Sequence, residues 1–312
     1  MNDFKEFLKQ RDIRYTTDAA IAPYLTMGIG GNVGMIIEVF STAHLRELLV
    51  YLSGNRARFD FHVIVLGGGS NVIFPDHAPN LVVIINRTLG IFYEPDFLLN
   101  VSSGLFLDDL MIWNVTNAMD GMDFLAGIPG TVGGAVAVNA GAFGQSVSSL
   151  VEKAEIFTRN GEIKIVDKEY FGFTYRDSAF KHGEDTILTV SLKYLPGENA
   201  SIHRKVQEKY DYRKKNHPCS TLRSAGCFFK NPVINGEKIP AGRLIENLGL
   251  KGQTFDTLRI SDQHANFVIN NGCASFADVV RFENDIVQKV LDEKGIRLER
   301  EVIYISPEGK KY

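Results

Sequence analysis

The sequence predicts an α+β protein made of three segments, 1–76, 77–198 and 199–312. Three observations carry that reading. Short apolar strands are interrupted by helices without a strict strand–helix repeat. Residues 121–144, GMDFLAGIPGTVGGAVAVNAGAFG, follow neither a helical nor a strand period and hold seven glycines. A turn-rich break, LPGENAS at 195–201, then precedes a basic stretch.

In order along the chain, residues 3–11 read as a short amphipathic helix with Phe4, Phe7 and Leu8 on one face. TMGIGG (26–31) turns into the strand MIIEVF (35–40). Thr42 is placed to cap a helix in which Leu45, Leu48, Leu49 and Leu52 recur at helical spacing. HVIVLGGGSNVIF (62–74) reads as strand, glycine turn, strand. These glycines follow the second strand and no helical pattern follows them, which weakens a dinucleotide-type β-α-β reading. LVVII (81–85) and FLLNVSS (97–103) are strands. FLDDLMIWNVTNAMDG (106–121) is a helix closed by Gly121. VEKAEIF (151–157), EIKIVD (162–167) and TILTVSLKY (186–194) are strands, and IHRKVQEKYDYRKKNH (202–217) is a basic helix. HANFVINN (264–271) is strand-like. Ser275 caps a long helix with Asp278 in a capping box and a buried stripe of Val279, Phe282, Ile286 and Val290. IRLEREVIYI (296–305) closes as a strand.

Composition narrows the class. Hydrophobic content is 45%, charged content 23% and net charge −3, which suits a soluble globular protein and argues against a general nucleic-acid binder. The opening MNDFKEFLKQRD is charged from its third residue, so no secretory signal is read there, and no apolar run has membrane-spanning length. Cys219, Cys227 and Cys273 are odd in number and lack metal-ligand spacing, which argues against a disulfide framework and a zinc site. A cytoplasmic protein is expected, with no bound metal, no membrane and no nucleic-acid partner. Cys219 and Cys273 are read as packing residues.

The glycine segment is the main chemical signal. Backbone bare of side chains lets a ligand approach, and exposed amides form nests for phosphate oxygens. Pro129 fixes one turn. The pattern is neither of the two commonest nucleotide motifs. The expectation is a cradle for a phosphate-bearing cofactor, against the plainer reading of a tightly turning buried loop.

Four further stretches hold polar groups in unusual settings. YRDSAF (175–180) offers Arg176 to a carboxylate or a developing oxyanion, or is an ordinary surface ion pair. SAGCFFKNP (224–232) contains Cys227, which is either a small buried hydrophobe or an acid or nucleophile whose thiol titrates near ~8.5 when unperturbed. His217 and His264 are candidate partners for it, with no spacing that specifies a pair. In LEREV (298–302), Leu298, Arg300 and Val302 share one face and Glu299 and Glu301 the other. That strand is either a charged edge or a way of directing one Glu into a cleft. In KKNH (214–217), Lys215 could hold a diphosphate or face water.

Taken in order, TMGIGG, VLGGGSNVIF, GIPGTVGGAVAVNAGAFG, YRDSAFK, SAGCFFKNP, AGRLIENLGLKG, HANFVIN and LEREV resemble the UDP-N-acetylenolpyruvoylglucosamine reductase family over nearly the whole chain. The resemblance implies a two-lobed FAD-binding fold of the vanillyl-alcohol oxidase type in segments 1–76 and 77–198. It implies an α/β substrate-binding domain at 199–312, whose last strand could pack back on the FAD-binding part. It also implies FAD as cofactor and NADPH as co-substrate. The reaction implied is reduction of UDP-N-acetylglucosamine enolpyruvate to UDP-N-acetylmuramate in peptidoglycan synthesis. Hydride would pass from flavin N5 to C3, and a proton would be added at C2. Other readings are a different flavin oxidoreductase of the same FAD fold and a nucleotide-binding relative that has lost catalysis.

Site residues follow from the same resemblance. Arg176 would stabilise the enolate-like charge and Glu301 would orient or stabilise the C2 enol. Cys227 stands where the family usually has a proton-donating serine; a thiol is acidic enough to keep that role, the alternative being that the acid role has moved and Cys227 is inert. Gly67, Gly68, Gly69, Ser70, Asn71, Ile128, Pro129, Gly130, Thr131, Gly133, Gly134, Asn139 and Gly141 would surround FAD. Tyr175, Lys215 and Asn231 would contact substrate. The short HGEDT after YRDSAFK lacks an extra loop found in part of the family, which places the chain in the second structural subtype. Met27 replaces the family's aromatic in TMGIGG, with only a packing adjustment expected. A monomer is expected.

Overall fold

The computed structural model describes residues 2–312. The chain forms two compact units, each discontinuous in sequence. The first comprises Met1–Asp18, Gly34–Gly68 and Asn80–Tyr212; the second comprises Ala19–Val33, Gly69–Pro79 and Arg213–Tyr312. These units do not follow the contiguous segments 1–76, 77–198 and 199–312. The reason is apolar burial. Met27, Ile29 and Ile73 share one core with Ala225, Phe228, Leu298 and Tyr304, so the TMGIGG segment belongs with the C-terminal residues.

The first unit holds two cores. In one, Phe4, Leu8, Leu45, Leu48 and Ile84 are wholly buried. The helix Thr42–Gly54 turns its four leucines inward, as its spacing predicts. Its cap is Ser41, not Thr42: the Ser41 hydroxyl accepts from the His44 amide at 3.2 Å. The neighbouring sheet has the spatial order Arg14–Ala20, Asn32–Val39, His77–Asn86, His62–Leu66. The last two strands run parallel, with Ile64 opposite Val83. Residues 81–86 are buried without alternation, as expected of a strand covered on both faces.

The other core lies on a five-stranded antiparallel sheet, ordered Ile163–Asp167, Val151–Phe157, Thr186–Lys193, Leu98–Ser102, Ile91–Glu94. The helix Leu107–Thr116 ends earlier than its pattern suggests. Asn117 caps it, and Ala118 leaves the helical region with φ 56°. Met119–Asp120 then pairs with Leu195–Pro196 instead of continuing the helix to Gly121. Helix Asn199–Asn216 starts three residues before the expected 202 and takes in part of the turn-rich break.

The second unit carries a three-stranded antiparallel sheet, Thr254–Phe255, Leu258–Ile260 and Val268–Asn270. Its helix Phe276–Lys294 has the capping box read from sequence. The Ser275 hydroxyl accepts from the Asp278 amide at 3.1 Å, and Asp278 Oδ2 accepts from the Ser275 amide at 2.8 Å. The expected continuous strand 296–305 is not formed. Only Ile303–Tyr304 is a strand, parallel to Val72–Ile73, and Arg300 makes a single bridge with Phe229. Met27 is fully buried. Among the described residues, no helix is long and apolar enough to cross a membrane.

Candidate functional site

In the first unit the glycine segment contains a short helix that its sequence hides, Val132–Ala137. Thr131 is its cap, and its hydroxyl accepts from the Gly134 amide at 3.3 Å. The helix amides are already committed: Val132 donates to the Leu105 carbonyl and Gly133 to the Ser103 carbonyl, both at 2.8 Å. A Cβ on Gly133 would lie 2.7 Å from Ser103 Cβ, so this glycine answers to the protein's own packing. Gly134 is different. It is exposed, and a Cβ there would meet only Thr131 Oγ1 at 3.4 Å.

The open amides lie one step earlier. Gly67, Gly68 and Gly130 have no amide acceptor among the described residues. A Cβ on Gly68 would fall 2.7 Å from Gly130 Cα, and one on Gly67 2.3 Å from Thr131 Oγ1. Two bare stretches of backbone are therefore pressed together, and three of their N–H groups are left available to an anionic ligand. Gly130 has φ 129°, a left-side conformation that a side chain rarely adopts. Ile128 bonds back to the Leu125 carbonyl at 3.0 Å, and Pro129 is exposed. Arg87, which carries no mark in the sequence, donates to the Gly67 carbonyl at 2.9 Å and lies 4.9 Å from the centre of the Phe106 ring. Gly141 serves a tight hairpin with Gln145–Ser146, where a Cβ would lie 2.4 Å from the Gln145 carbonyl oxygen.

Arg176 sits on a turn fixed to this segment. Thr174 and Asp177 exchange two backbone hydrogen bonds of 3.0 and 3.3 Å, which leaves Tyr175 and Arg176 at the tip. Arg176 has φ 56°, and Lys181 Nζ reaches its carbonyl at 3.5 Å. Tyr175 is exposed. Two side-chain bonds tie the turn to the short helix. Asn139 Nδ2 donates to the Thr174 carbonyl and Ser178 Oγ to the Ala137 carbonyl, both at 2.7 Å. Asn139 Oδ1 accepts from Ser148, so its side-chain amide is committed at both ends. Burial alone would raise the Asp177 carboxyl. The His182 hydrogen bond, the His182 and Lys181 charges and the Ser178 amide bring it below the usual range.

The second unit carries the other candidates. Gly69, with φ 63°, packs against the Tyr24 carbonyl and accepts from the Thr26 amide at 3.1 Å; Ser70 follows, half-buried. Asn71 Nδ2 donates to the Glu301 carbonyl at 3.2 Å, and the Ile303 amide donates to the Asn71 carbonyl at 3.0 Å. The Glu301 amide donates to the Phe228 carbonyl at 2.8 Å, which places Cys227 and Glu301 on adjoining extended segments. Cys227 is half-buried and bridges Phe267. Cys219 and Cys273 are exposed, so they are not the packing residues the sequence suggested. Asn231 Oδ1 accepts from the Ala241 amide at 2.9 Å, at the first residue of the helix Ala241–Glu246. Lys215 is exposed in the last turn of its helix. His217 and His264 meet edge to face at 5.5 Å, each about 5 Å from Phe267. Burial first, then Arg213 and His264, holds His217 down at about 4. His264 is lowered as well, chiefly by burial. No group of three or more His, Cys, Asp or Glu able to hold a metal ion is found among the described residues.

Comparison with known proteins agrees with this division of labour. Residues 33–167 match the family model of an FAD binding domain, and residues 217–305 that of the UDP-N-acetylenolpyruvoylglucosamine reductase C-terminal domain. The reductase of Syntrophus aciditrophicus is 32% identical over 94% of this chain and 92% of its own length. That of Anoxybacillus flavithermus is 32% identical over 97% and 98%. The crystal structure of a UDP-N-acetylenolpyruvylglucosamine reductase from Thermus caldophilus superposes with a TM-score of 0.72 at 31% identity, covering 94% of this chain and 98% of that one. The α+β fold thus holds an FAD binding domain followed in sequence by the C-terminal domain of the reductase family. The chain belongs to the UDP-N-acetylenolpyruvoylglucosamine reductase family.

Proposed function

We propose that the protein reduces UDP-N-acetylglucosamine enolpyruvate to UDP-N-acetylmuramate, with NADPH as electron source and FAD as carrier, in the cytoplasm and as a monomer. The observation that carries this reading is the amide nest of Gly67, Gly68 and Gly130, which fits anionic phosphate oxygens such as those of FAD. FAD, when bound, supplies the hydride route from NADPH, through flavin N5, to C3 of the enolpyruvyl group. Gly67 to Asn71, Ile128 to Thr131, Gly133, Gly134, Asn139 and Gly141 form or support its seat.

The chain's own residues handle charge and protons. Arg176, held in a fixed turn, stabilises negative charge on the substrate carboxylate and enol oxygen. Glu301 orients or stabilises the C2 enol. Cys227 delivers the proton to C2 and leaves a thiolate, a lower-energy conjugate base than the alkoxide of a serine. Tyr175, Lys215 and Asn231 contact the substrate, with Lys215 at its diphosphate.

The test begins with colour. The purified protein should be yellow, be bleached by NADPH without oxygen, and regain colour on adding the enolpyruvyl nucleotide but not a simple alcohol. Reoxidation by an alcohol would favour a different flavin oxidoreductase, and a protein that cannot be loaded with FAD would end the proposal. Cys227→Ala should still be bleached by NADPH yet reoxidise on the order of 10²-fold more slowly, the usual weight of one proton-transfer group. Cys227→Ser should keep appreciable turnover. Parent-like reoxidation by Cys227→Ala would remove the acid assignment.

A further inference from the structure

Arg300 makes an unusual set of contacts around a neighbour. Its Nε donates to the Val302 carbonyl at 3.0 Å, so its side chain reaches past Glu301 to the residue on the far side. Its Nη1 donates to Glu283 Oε2 at 2.8 Å, on the long helix Phe276–Lys294. Tyr304 Oη donates to the same Glu283 oxygen at 2.6 Å, and the Arg300 guanidinium lies 3.5 Å from the centre of the Tyr304 ring. The Arg300 and Glu283 side chains are less than one-fifth exposed. Glu301 lies inside this strap. Its amide is held by Phe228 and its carbonyl by Asn71. Yet the segment is not a continuous strand, so ladder bonds alone do not fix it.

We propose that Arg300, anchored by Glu283 and Tyr304, is a positioning residue that sets the direction of the Glu301 carboxylate. This rests on the reading of Glu301 as the group that faces the substrate enol. The chemistry favours arginine for the task. Only its planar fork can send one N–H back to the main chain and another to a carboxylate while stacking on a ring; a lysine ammonium is a single point charge. A partly buried ion pair of this kind adds little net stability over apolar packing, so its fixed geometry is the feature that an orienting carboxylate would use.

The experiment uses FAD-loaded full-length protein and follows the two half-reactions separately, with thermal unfolding measured on FAD-free protein. The variants are Arg300→Lys, Glu283→Gln, Glu301→Gln and the double Arg300→Lys/Glu301→Gln. Arg300→Lys should be bleached by NADPH at the parent rate but be reoxidised by saturating enolpyruvyl nucleotide about tenfold more slowly. Glu283→Gln, which keeps the shape of the cluster, should show the same split with a smaller loss. In the double variant the Arg300 change should add nothing to the loss caused by Glu301→Gln, because both act through one group. Losses that multiply would overturn the proposal, as would equal slowing of both half-reactions with a lowered melting temperature in FAD-free protein. Parent-like reoxidation by Arg300→Lys beside a slow Glu301→Gln would overturn the strap alone. Parent-like reoxidation by Glu301→Gln would overturn the reading of Glu301 itself.

Discussion

Gly68 and Gly130 pack main chain against main chain with no side chain between them, whereas the segment around Glu301 is tied down by the Asn71 side chain and the Arg300–Glu283 pair as well as by the Phe228 carbonyl. In the first region a missing Cβ is the working feature: Gly68 touches Gly130 where no other residue would fit. In the second region the working features are Asn71, 230 residues away in sequence, and the Arg300–Glu283 pair. The first arrangement exposes backbone dipoles to a ligand. The second commits its backbone, with the Glu301 amide bonded to Phe228 and the Glu301 carbonyl to Asn71. A nest for phosphate tolerates many ligand conformations, while an orienting group needs one direction. The two regions therefore use rigidity of different kinds.

Breaking the comparison starts with glycine. Gly133→Ala should destabilise the protein by about 1–3 kcal/mol, the usual cost of overpacking against Ser103. The loss should appear in FAD-free protein by denaturant unfolding. Gly134→Ala, where the added methyl has room, should cost less than about 0.5 kcal/mol. Equal effects would mean that contact with Ser103 is not what demands glycine at position 133.

Asn139→Ala tests whether the Arg176 turn is fastened to the nest. It removes bonds to Thr174 and Ser148 and puts alanine at φ 47°, where asparagine is tolerated better. A loss of about 1–3 kcal/mol is expected from the buried groups left unpaired. Enolpyruvyl-driven reoxidation should fall further than NADPH-driven bleaching. Equal loss in both would detach the turn from its assigned role.

The smallest effect concerns pH. His217 is held at about 4 against an ordinary 6.5, so the fold resists its protonation. Between those values the unfolded chain binds the proton and the folded chain does not. His217 therefore contributes its full stability above pH ~6.5, and that contribution declines as pH falls toward 4. The pH dependence of unfolding in that window should flatten in His217→Gln. An unchanged slope would assign the acid sensitivity elsewhere.

Local signals were legible and distant ones were not. The helix Phe276–Lys294 was readable because its cap, acidic partner and apolar stripe lie in one short stretch. The glycine segment 121–144 was legible as irregular backbone, because its seven glycines fit neither a helical nor a strand period. Its six-residue helix was not, since Gly and Ala show no amphipathic period and only Thr131 marks the start. The segment 296–305 alternates like a strand, yet its apolar residues pack while only Ile303–Tyr304 finds a partner strand. Asn71 read as one more cofactor residue. Nothing near it in sequence reveals that its amide meets Glu301. Met27 and Ile29 likewise carry no mark of the core they enter.

The parallel pairing of Ile303–Tyr304 with Val72–Ile73 also has a consequence in time. During synthesis residues 19–33 and 69–79 emerge long before their partners, and loop closure between them spans more than two hundred residues. Met27, Ile29 and Ile73 cannot complete their core until the chain has been made past residue 304. The first unit can begin to collapse from local contacts in the meantime. The order of events is thus written into the interleaving of the units, and the carboxylate-bearing segment at 301 is among the last to be fixed.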